Sequence, residues 1–235
     1  MKTQIDHLVV AARTLDEGVA WCEATLGVTP GPGGEHALYG THNRLFKIAT
    51  PAHPLCYLEI IAINPHAPPR PTAAGKRWFD LDDTALHSVL AVQPRLVHFV
   101  VSTDAIATAV VALRDLGIDP GTVASASRQS PKGLLQWQIT VRADGQRLFD
   151  GALPSVIQWG KPGASDPLQL HPRNSLPRSG VSLKSVTLQH PEAGRLQAVC
   201  DALGLGGVTI RSGPANLIAA LQTPKGLVTL HSGAT

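Results

Sequence analysis

The chain has few aromatic residues, no long apolar run and no dense run of charge, and each absence excludes a class of protein. Aromatic side chains make up 4% of the 235 residues, so the stacking platform of a single-strand nucleic-acid binder is missing. The longest apolar stretches have the length of a strand and are too short to span a membrane. We therefore expect neither nucleic acid nor a membrane as a partner.

Cysteine is also scarce. Cys22, Cys56 and Cys200 are far apart, lie among apolar residues and form no CxxC motif, which indicates reduced, buried thiols. The N-terminus enters a strand pattern without the apolar segment of an export signal. With 43% hydrophobic and 16% charged residues, the composition is typical of a folded globular protein, which we expect to be cytoplasmic.

The main positive feature is a strand–helix unit that occurs three times. The units begin at Ile5, Leu96 and Leu183. Each is a buried-strand pattern followed by an amphipathic run and a glycine, as expected for a helix with glycine at its C-terminal end. Further strand patterns follow each helix, so each module has the order βαβββ. A repeat at long spacing indicates a duplicated architecture.

These repeats divide the chain. We predict paired modules within residues 1–160, at 1–63 and 95–160, separated by a proline-rich and helical insertion at 64–94. Residues 161–180 form a linker, and 181–235 form a third βαβββ-like module.

Local signals refine this division. The proline and glycine residues at 29–34 predict a loop, and residues 37–40 predict a short strand. A short helix is expected at 80–92, with Asp82 or Asp83 as its N-cap.

Two histidines occupy the same register in the first strands of the paired modules. His7 and His98 are each flanked by apolar residues, and alternation along the first strand places Asp6 on the face opposite His7. Matched histidines on related strands can form a metal site. The alternative is that each is a hydrogen-bonded core residue.

Glu59 and Gln158 are the polar residues of two apolar strands that close the paired modules. A buried carboxylate is costly unless it is paired, hydrogen-bonded or bound to a cation. Two imidazole nitrogens and two side-chain oxygens would suit zinc, iron, nickel or manganese. Polar residues at 40–44 indicate substrate contacts by His42, Asn43 and Arg44, with ordinary turn hydrogen bonds as the alternative.

Four segments together resemble the glyoxalase-like domain proteins of the vicinal oxygen chelate superfamily. They are IDHLVV at 5–10, GTHNRL at 40–45, YLEII at 57–61 and LPSVIQWG at 153–160. The resemblance covers residues 5–160 well and the third module less specifically. It implies an α+β fold in which repeated βαβββ modules form curved mixed sheets, a cup, with the helices outside.

In that superfamily the metal ligands come from the first and last strands of each module. The resemblance therefore implies metal ligation by His7, Glu59, His98 and Gln158. Isomerase members commonly have a carboxylate at the position of Gln158, and an amide does not titrate near neutral pH. Either Glu59 takes over the acid–base role, or the protein carries out neither the isomerase nor the dioxygenase reaction in the usual way.

The first hypothesis is a metal-dependent lyase, isomerase or oxygenase such as a dioxygenase. It would act on a small oxygen-bearing metabolite, with Glu59 as the catalytic base and a divalent Zn, Fe, Ni or Mn ion as Lewis acid. His42, Asn43, Arg44 and Trp159 would contact the substrate, and a homodimer is possible.

The second hypothesis is a protein that binds or sequesters a small molecule in the same cup without a metal or catalysis. Glu59 would then pair with Arg44, His42 or another internal donor. A third is an interaction scaffold whose pocket is filled by side chains.

Overall fold

The computed structural model describes residues 1–68, 75–130, 132–161 and 164–233. Parts of both predicted linkers, at 69–74 and 162–163, lie outside the described residues. Within the described ranges, no helix combines the length and apolarity needed to cross a membrane.

The described helices and strands form three successive groups along the chain. The first module contains β1 (Thr3–Ala11), α1 (Leu15–Leu26), β2 (Gly31–His36), β3 (Thr41–Lys47) and β4 (Tyr57–Ile63). The insertion contains α2 (Thr84–Leu90), and the second module contains β5 (Arg95–Thr103), α3 (Ile106–Asp115), β6 (Thr122–Ser130), β7 (Gly133–Val141) and β8 (Ser155–Trp159). The third module contains β9 (Ser182–Gln189), α4 (Ala193–Leu203), β10 (Val208–Arg211), β11 (Asn216–Thr223) and β12 (Gly226–His231).

Capping residues explain where the helices begin and end. The Thr14 hydroxyl accepts a hydrogen bond from the Glu17 backbone N–H at 3.2 Å, which caps the start of α1. Gly27 ends α1 with φ 72°, a left-handed conformation that glycine adopts without a steric penalty. The Asp83 carboxylate accepts a hydrogen bond from the Ala85 backbone N–H at 2.8 Å, which caps the start of α2. Asp83 was one of the two predicted N-caps.

The paired modules share one eight-stranded sheet in the order β2-β3-β4-β1-β5-β8-β7-β6. Antiparallel pairing of β1 with β5 joins the modules, and within each module the first strand pairs in parallel with the last. The edge strands β2 and β6 contact each other, so the sheet curves almost into a barrel. The predicted α+β fold with a curved mixed sheet is confirmed.

The third module has a separate four-stranded sheet, in the order β10-β9-β11-β12. Its first strand pairs with β10 and β11, whereas the first strands of the paired modules pair with the last strand of their own module. The order of elements along the chain is therefore repeated three times, but the strand pairing is not.

The eight-stranded sheet has an apolar cluster on each face. Leu8 and Val10 of β1 pack on the helix-bearing face, in a cluster that continues into the third module. Val9 and Ala11 pack on the concave face, in a cluster that includes Trp78 and other residues of the insertion. The insertion therefore fills part of the cup.

The segment after α1 differs from its prediction. Residues 31–34 of the predicted loop belong to β2, and the strand predicted at 37–40 is a turn. A Cβ atom at Gly33 would lie 2.1 Å from Asn43 Oδ1, so glycine is what allows β2 to approach β3 this closely. Glycine content indicated a loop, whereas here it permits a strand.

Candidate functional site

The imidazole of His7 is held in place on the concave face. Its Nδ1 lies 2.7 Å from Asp6 Oδ1, and its ring stacks on Tyr57 with centroids 4.6 Å apart. Because a carboxylate only accepts hydrogen bonds, Nδ1 carries the proton of the neutral ring. Nε2 is then the free acceptor, and it lies 3.6 Å from Glu59 Oε2.

Asp6 reaches His7 because β1 contains a bulge. Ile5 pairs with Val101 and His7 pairs with Val100, so Asp6 is an extra residue in the strand. The regular alternation that placed Asp6 on the opposite face is broken at this point. The prediction that Asp6 faces away from His7 is therefore wrong.

The Asp6 carboxylate is fully buried and accepts two further hydrogen bonds. Trp159 Nε1 donates to Asp6 Oδ2 at 2.8 Å, and His171 Nε2 lies 3.0 Å from the same oxygen. Burial alone would raise the pKa of Asp6, but the contacts with His171 and His7 outweigh it and hold that pKa well below its ordinary value. Asp6 is therefore ionised and positions three neighbouring side chains.

The Glu59 carboxylate is buried beside His7 and is satisfied by an internal donor. Asn43 Nδ2 donates to Glu59 Oε1 at 2.5 Å, and the Asn43 Oδ1 atom accepts from the Gly34 backbone N–H at 2.7 Å. His36 Nε2 lies 4.0 Å from the same Glu59 oxygen. Burial lowers the pKa of His36 to about 4, so this second imidazole is neutral near pH 7.

His7 and Glu59 face a small cavity of about 40 Å³. Aromatic rings form much of its wall, contributed by Tyr57, Trp78, Phe79, Trp137 and Trp159. An acid–base pair therefore faces an aromatic-lined space.

His98 lies on the same face of the sheet but in a different environment. Its Nε2 accepts a hydrogen bond from the Ser155 backbone N–H at 3.0 Å and lies 3.0 Å from the Ser155 hydroxyl. The Phe79 ring packs against it at a centroid distance of 5.0 Å. Burial lowers the pKa of His98 to about 3. His98 does not line the cavity that contains Glu59.

Gln158 faces the helix-bearing side of the sheet. Its Oε1 accepts a hydrogen bond from the backbone N–H of Ile106, the first residue of α3, at 2.8 Å. The four predicted metal ligands are therefore not brought together, and only His7 and Glu59 adjoin. Across the described ranges, no group of three His, Cys, Asp or Glu residues is placed to hold a metal ion. The residues present do not fit the metal centre that the resemblance implied.

The predicted substrate contacts divide between the two faces of the sheet. Asn43 and Trp159 line the cavity. His42 and Arg44 flank Asn43 in β3 and point to the opposite face, and Arg44 is exposed.

Sequence reasoning missed three polar residues of the site. Asp6 was assigned to the wrong face, although a carboxylate in an otherwise apolar strand was an available signal. Neither His36 nor His171 was among the predicted site residues, and His171 is fully buried although it lies in the predicted linker. No periodic pattern marks that position.

Fold and site together define a curved-sheet protein with a small aromatic-lined cavity where its two βαβββ modules meet. The chain belongs to the glyoxalase-like domain family, whose model matches residues 5–204. This confirms the resemblance to the glyoxalase-like proteins of the vicinal oxygen chelate superfamily. No curated protein sequence matches the chain.

Solved structures are similar in fold. The crystal structure of a hypothetical protein from Staphylococcus aureus has a TM-score of 0.61 and 15% identity, over 98% of this chain and 85% of that chain. A methylmalonyl-CoA epimerase from Streptomyces coelicolor has a TM-score of 0.38 and 19% identity, over 66% of this chain and 95% of that chain. The methylmalonyl-CoA epimerase from Mycobacterium tuberculosis has a TM-score of 0.35 and 14% identity, over 66% and 85%.

Proposed function

We propose that the chain is an enzyme that moves a proton on a small oxygen-bearing metabolite, as an isomerase or a lyase. The observation that supports this most is the arrangement of Asp6, His7 and Glu59 at the cavity wall. Asp6 fixes the tautomer of His7, and the free Nε2 lies 3.6 Å from a Glu59 oxygen. Two groups that exchange protons thus face one ligand space, as general acid–base catalysis requires.

The proposed reaction begins at Glu59. Its carboxylate removes a proton from a carbon beside a carbonyl group, and Asn43 keeps the carboxylate oriented through their 2.5 Å hydrogen bond. In an isomerase the same proton returns to another substrate atom, directly or through His7 Nε2. In a lyase it leaves with the departing group. Proton count and charge are conserved in both cases.

A divalent metal has no part in these steps. The metal-dependent form of the hypothesis needs His98 and Gln158 beside His7 and Glu59, and the side chains of His98 and Gln158 bind Ser155 and the start of α3. Zn, Fe, Ni or Mn binding is tested by metal titration of wild-type protein and of a His7→Ala variant. A cytoplasmic location and a homodimer also stay predictions.

Incorporation of solvent deuterium tests the proton transfer. We expect the wild-type protein to exchange the acidic C–H protons of at least one compound in a panel of aliphatic and aromatic 2-oxo acids in D₂O, followed by proton NMR. Glu59→Gln should slow the exchange by about 100-fold or more. The exposed Glu35→Gln on β2 is the matched control and should keep the wild-type rate.

The binding hypothesis is the second candidate, and the bond between Asn43 and Glu59 favours it. That bond satisfies Glu59 within the protein, as expected for a cup that holds a ligand without catalysis. Ligand binding in the cavity with no deuterium exchange by any member of the panel would support this candidate and contradict the enzyme.

A further inference from the structure

The side chain of Arg128 brings a cation to the cavity wall. Arg128 lies in β6 and lines the same cavity as His7 and Glu59. Its Nη1 atom is buried and has no hydrogen-bond partner in the described part of the chain. A buried guanidinium nitrogen without a partner is unfavourable, so this position suits a ligand that supplies an acceptor.

The position of the guanidinium depends on Gly34. A Cβ atom at Gly34 would lie 2.2 Å from Arg128 Nη1, so the guanidinium lies directly against the backbone of β2. The Gly34 backbone N–H also binds Asn43, which in turn binds Glu59. Arg128 and Glu59 are thus linked by a short chain of contacts where the two edges of the curved sheet meet.

The surroundings indicate what kind of acceptor would fit. The guanidinium group is planar and binds a carboxylate through two parallel hydrogen bonds. The cavity beside it is lined by aromatic rings, which pack favourably against another ring.

We propose that Arg128 binds the carboxylate of a small aromatic carboxylate, whose ring lies among the aromatic side chains of the cavity. The ligand carbon that faces Glu59 is then the one that loses a proton, and this last point rests on the proposed function. The contact between Arg128 and the carboxylate does not depend on it.

Calorimetric titration with phenylacetate and with its neutral analogue phenylacetamide tests the contact. Wild-type protein should bind phenylacetate at least about tenfold more tightly, the factor expected for a hydrogen-bonded charge. Arg128→Gln should abolish the preference, and Arg128→Lys should keep part of it because the charge remains. The control Arg211→Gln removes an exposed arginine of β10 and should bind like wild type.

A second variant displaces the guanidinium without removing it. Gly34→Ala should also weaken phenylacetate binding and leave phenylacetamide binding nearly unchanged, because the added methyl group occupies the position of Nη1. This variant keeps the test valid if Arg128→Gln does not fold.

Three results would overturn the proposal: no phenylacetate binding by wild type, equal binding of the two ligands, or an unchanged preference in Arg128→Gln. Tighter binding of phenyl phosphate than of phenylacetate would also overturn the choice of a carboxylate. A preference for phenylacetate without deuterium exchange would contradict the proton-transfer function and leave the Arg128 contact supported. Deuterium exchange without a preference for phenylacetate would support the proton-transfer function and contradict the Arg128 contact.

Discussion

The two paired modules place a histidine at the same register, yet of these two histidines only His7 lies beside buried carboxylates, those of Asp6 and Glu59. Each histidine follows a bulge residue, Asp6 in β1 and Val97 in β5. The Asp6 carboxylate binds His7 Nδ1, whereas the Val97 side chain offers no acceptor to His98. A single residue before each histidine thus accounts for much of the difference.

The insertion increases the difference between the modules. Phe79 packs against His98 and separates it from the cavity at Glu59. Phe79 and Asp80 both have positive φ, 60° and 58°, and Asp80 is held by an ion pair with Arg147 Nε at 2.7 Å. Duplication therefore preserved the backbone register, while the neighbouring side chains determine which half has a site.

Among the changes described below, removal of the Phe79 ring should have the largest effect on the difference between the environments of His7 and His98. We expect Phe79→Ala to lower the free energy of unfolding by about 3–5 kcal/mol, since a large buried ring leaves a cavity. The pKa of His98 should rise towards its ordinary value, because burial is the main cause of its depression. Urea denaturation and an NMR titration measure the two effects.

The exposed Leu38→Ala is the control for this change. A loss of stability without any change in the pKa of His98 would show that Phe79 does not isolate that histidine.

Asp6→Asn tests the environment of His7 in the first module. The amide should cost about 3 kcal/mol of stability, because a neutral group replaces a buried charge that binds His7, His171 and Trp159. It should also slow proton transfer, because His7 loses the carboxylate that keeps its proton on Nδ1. Urea denaturation, with the exposed Asp115→Asn as control, measures the first effect. Stability equal to wild type would contradict the positioning role of Asp6.

Acid should destabilise the protein through the buried histidines. The pKa values of His98 and His36 are lowered from 6.5 to about 3 and about 4. As the pH falls below 6.5, the unfolded chain binds protons that the folded chain does not, so stability decreases towards pH 4. Each histidine contributes about 1 kcal/mol per pH unit.

Denaturation curves at several pH values measure this slope. His98→Gln should make it shallower, while the exposed His66→Gln should leave it unchanged. An identical slope in His98→Gln would show that His98 is not held neutral by the fold.

Gln158→Ala should have the smallest effect. Loss of the hydrogen bond to the start of α3 should lower stability by about 1 kcal/mol, similar to other helix caps, with no loss of deuterium exchange. Thermal denaturation measures the change against Gln129→Ala, an exposed control in β6. Loss of exchange in Gln158→Ala would restore the predicted ligand role of this residue.

The repeat of strand and helix predicted the fold because buried-strand patterns and terminal glycines such as Gly27 are local signals. The family resemblance grouped His7 and Glu59 as ligands, and the two side chains adjoin because β1 and β4 are neighbouring strands. Gln158 was given a ligand role by the resemblance alone, and its orientation toward the helix-bearing face could not be read from hydrophobicity because β8 is apolar on both sides. The bulge at Asp6 depends on pairing with β5, which no local pattern records.

The most direct test of the account is to compare His7→Gln with His98→Gln in the deuterium-exchange assay, on a 2-oxo acid that wild-type protein exchanges. The account predicts that His7→Gln slows exchange by about 100-fold or more and that His98→Gln retains the wild-type rate. An equal loss in both variants would contradict the conclusion that the acid–base centre lies in the first module alone.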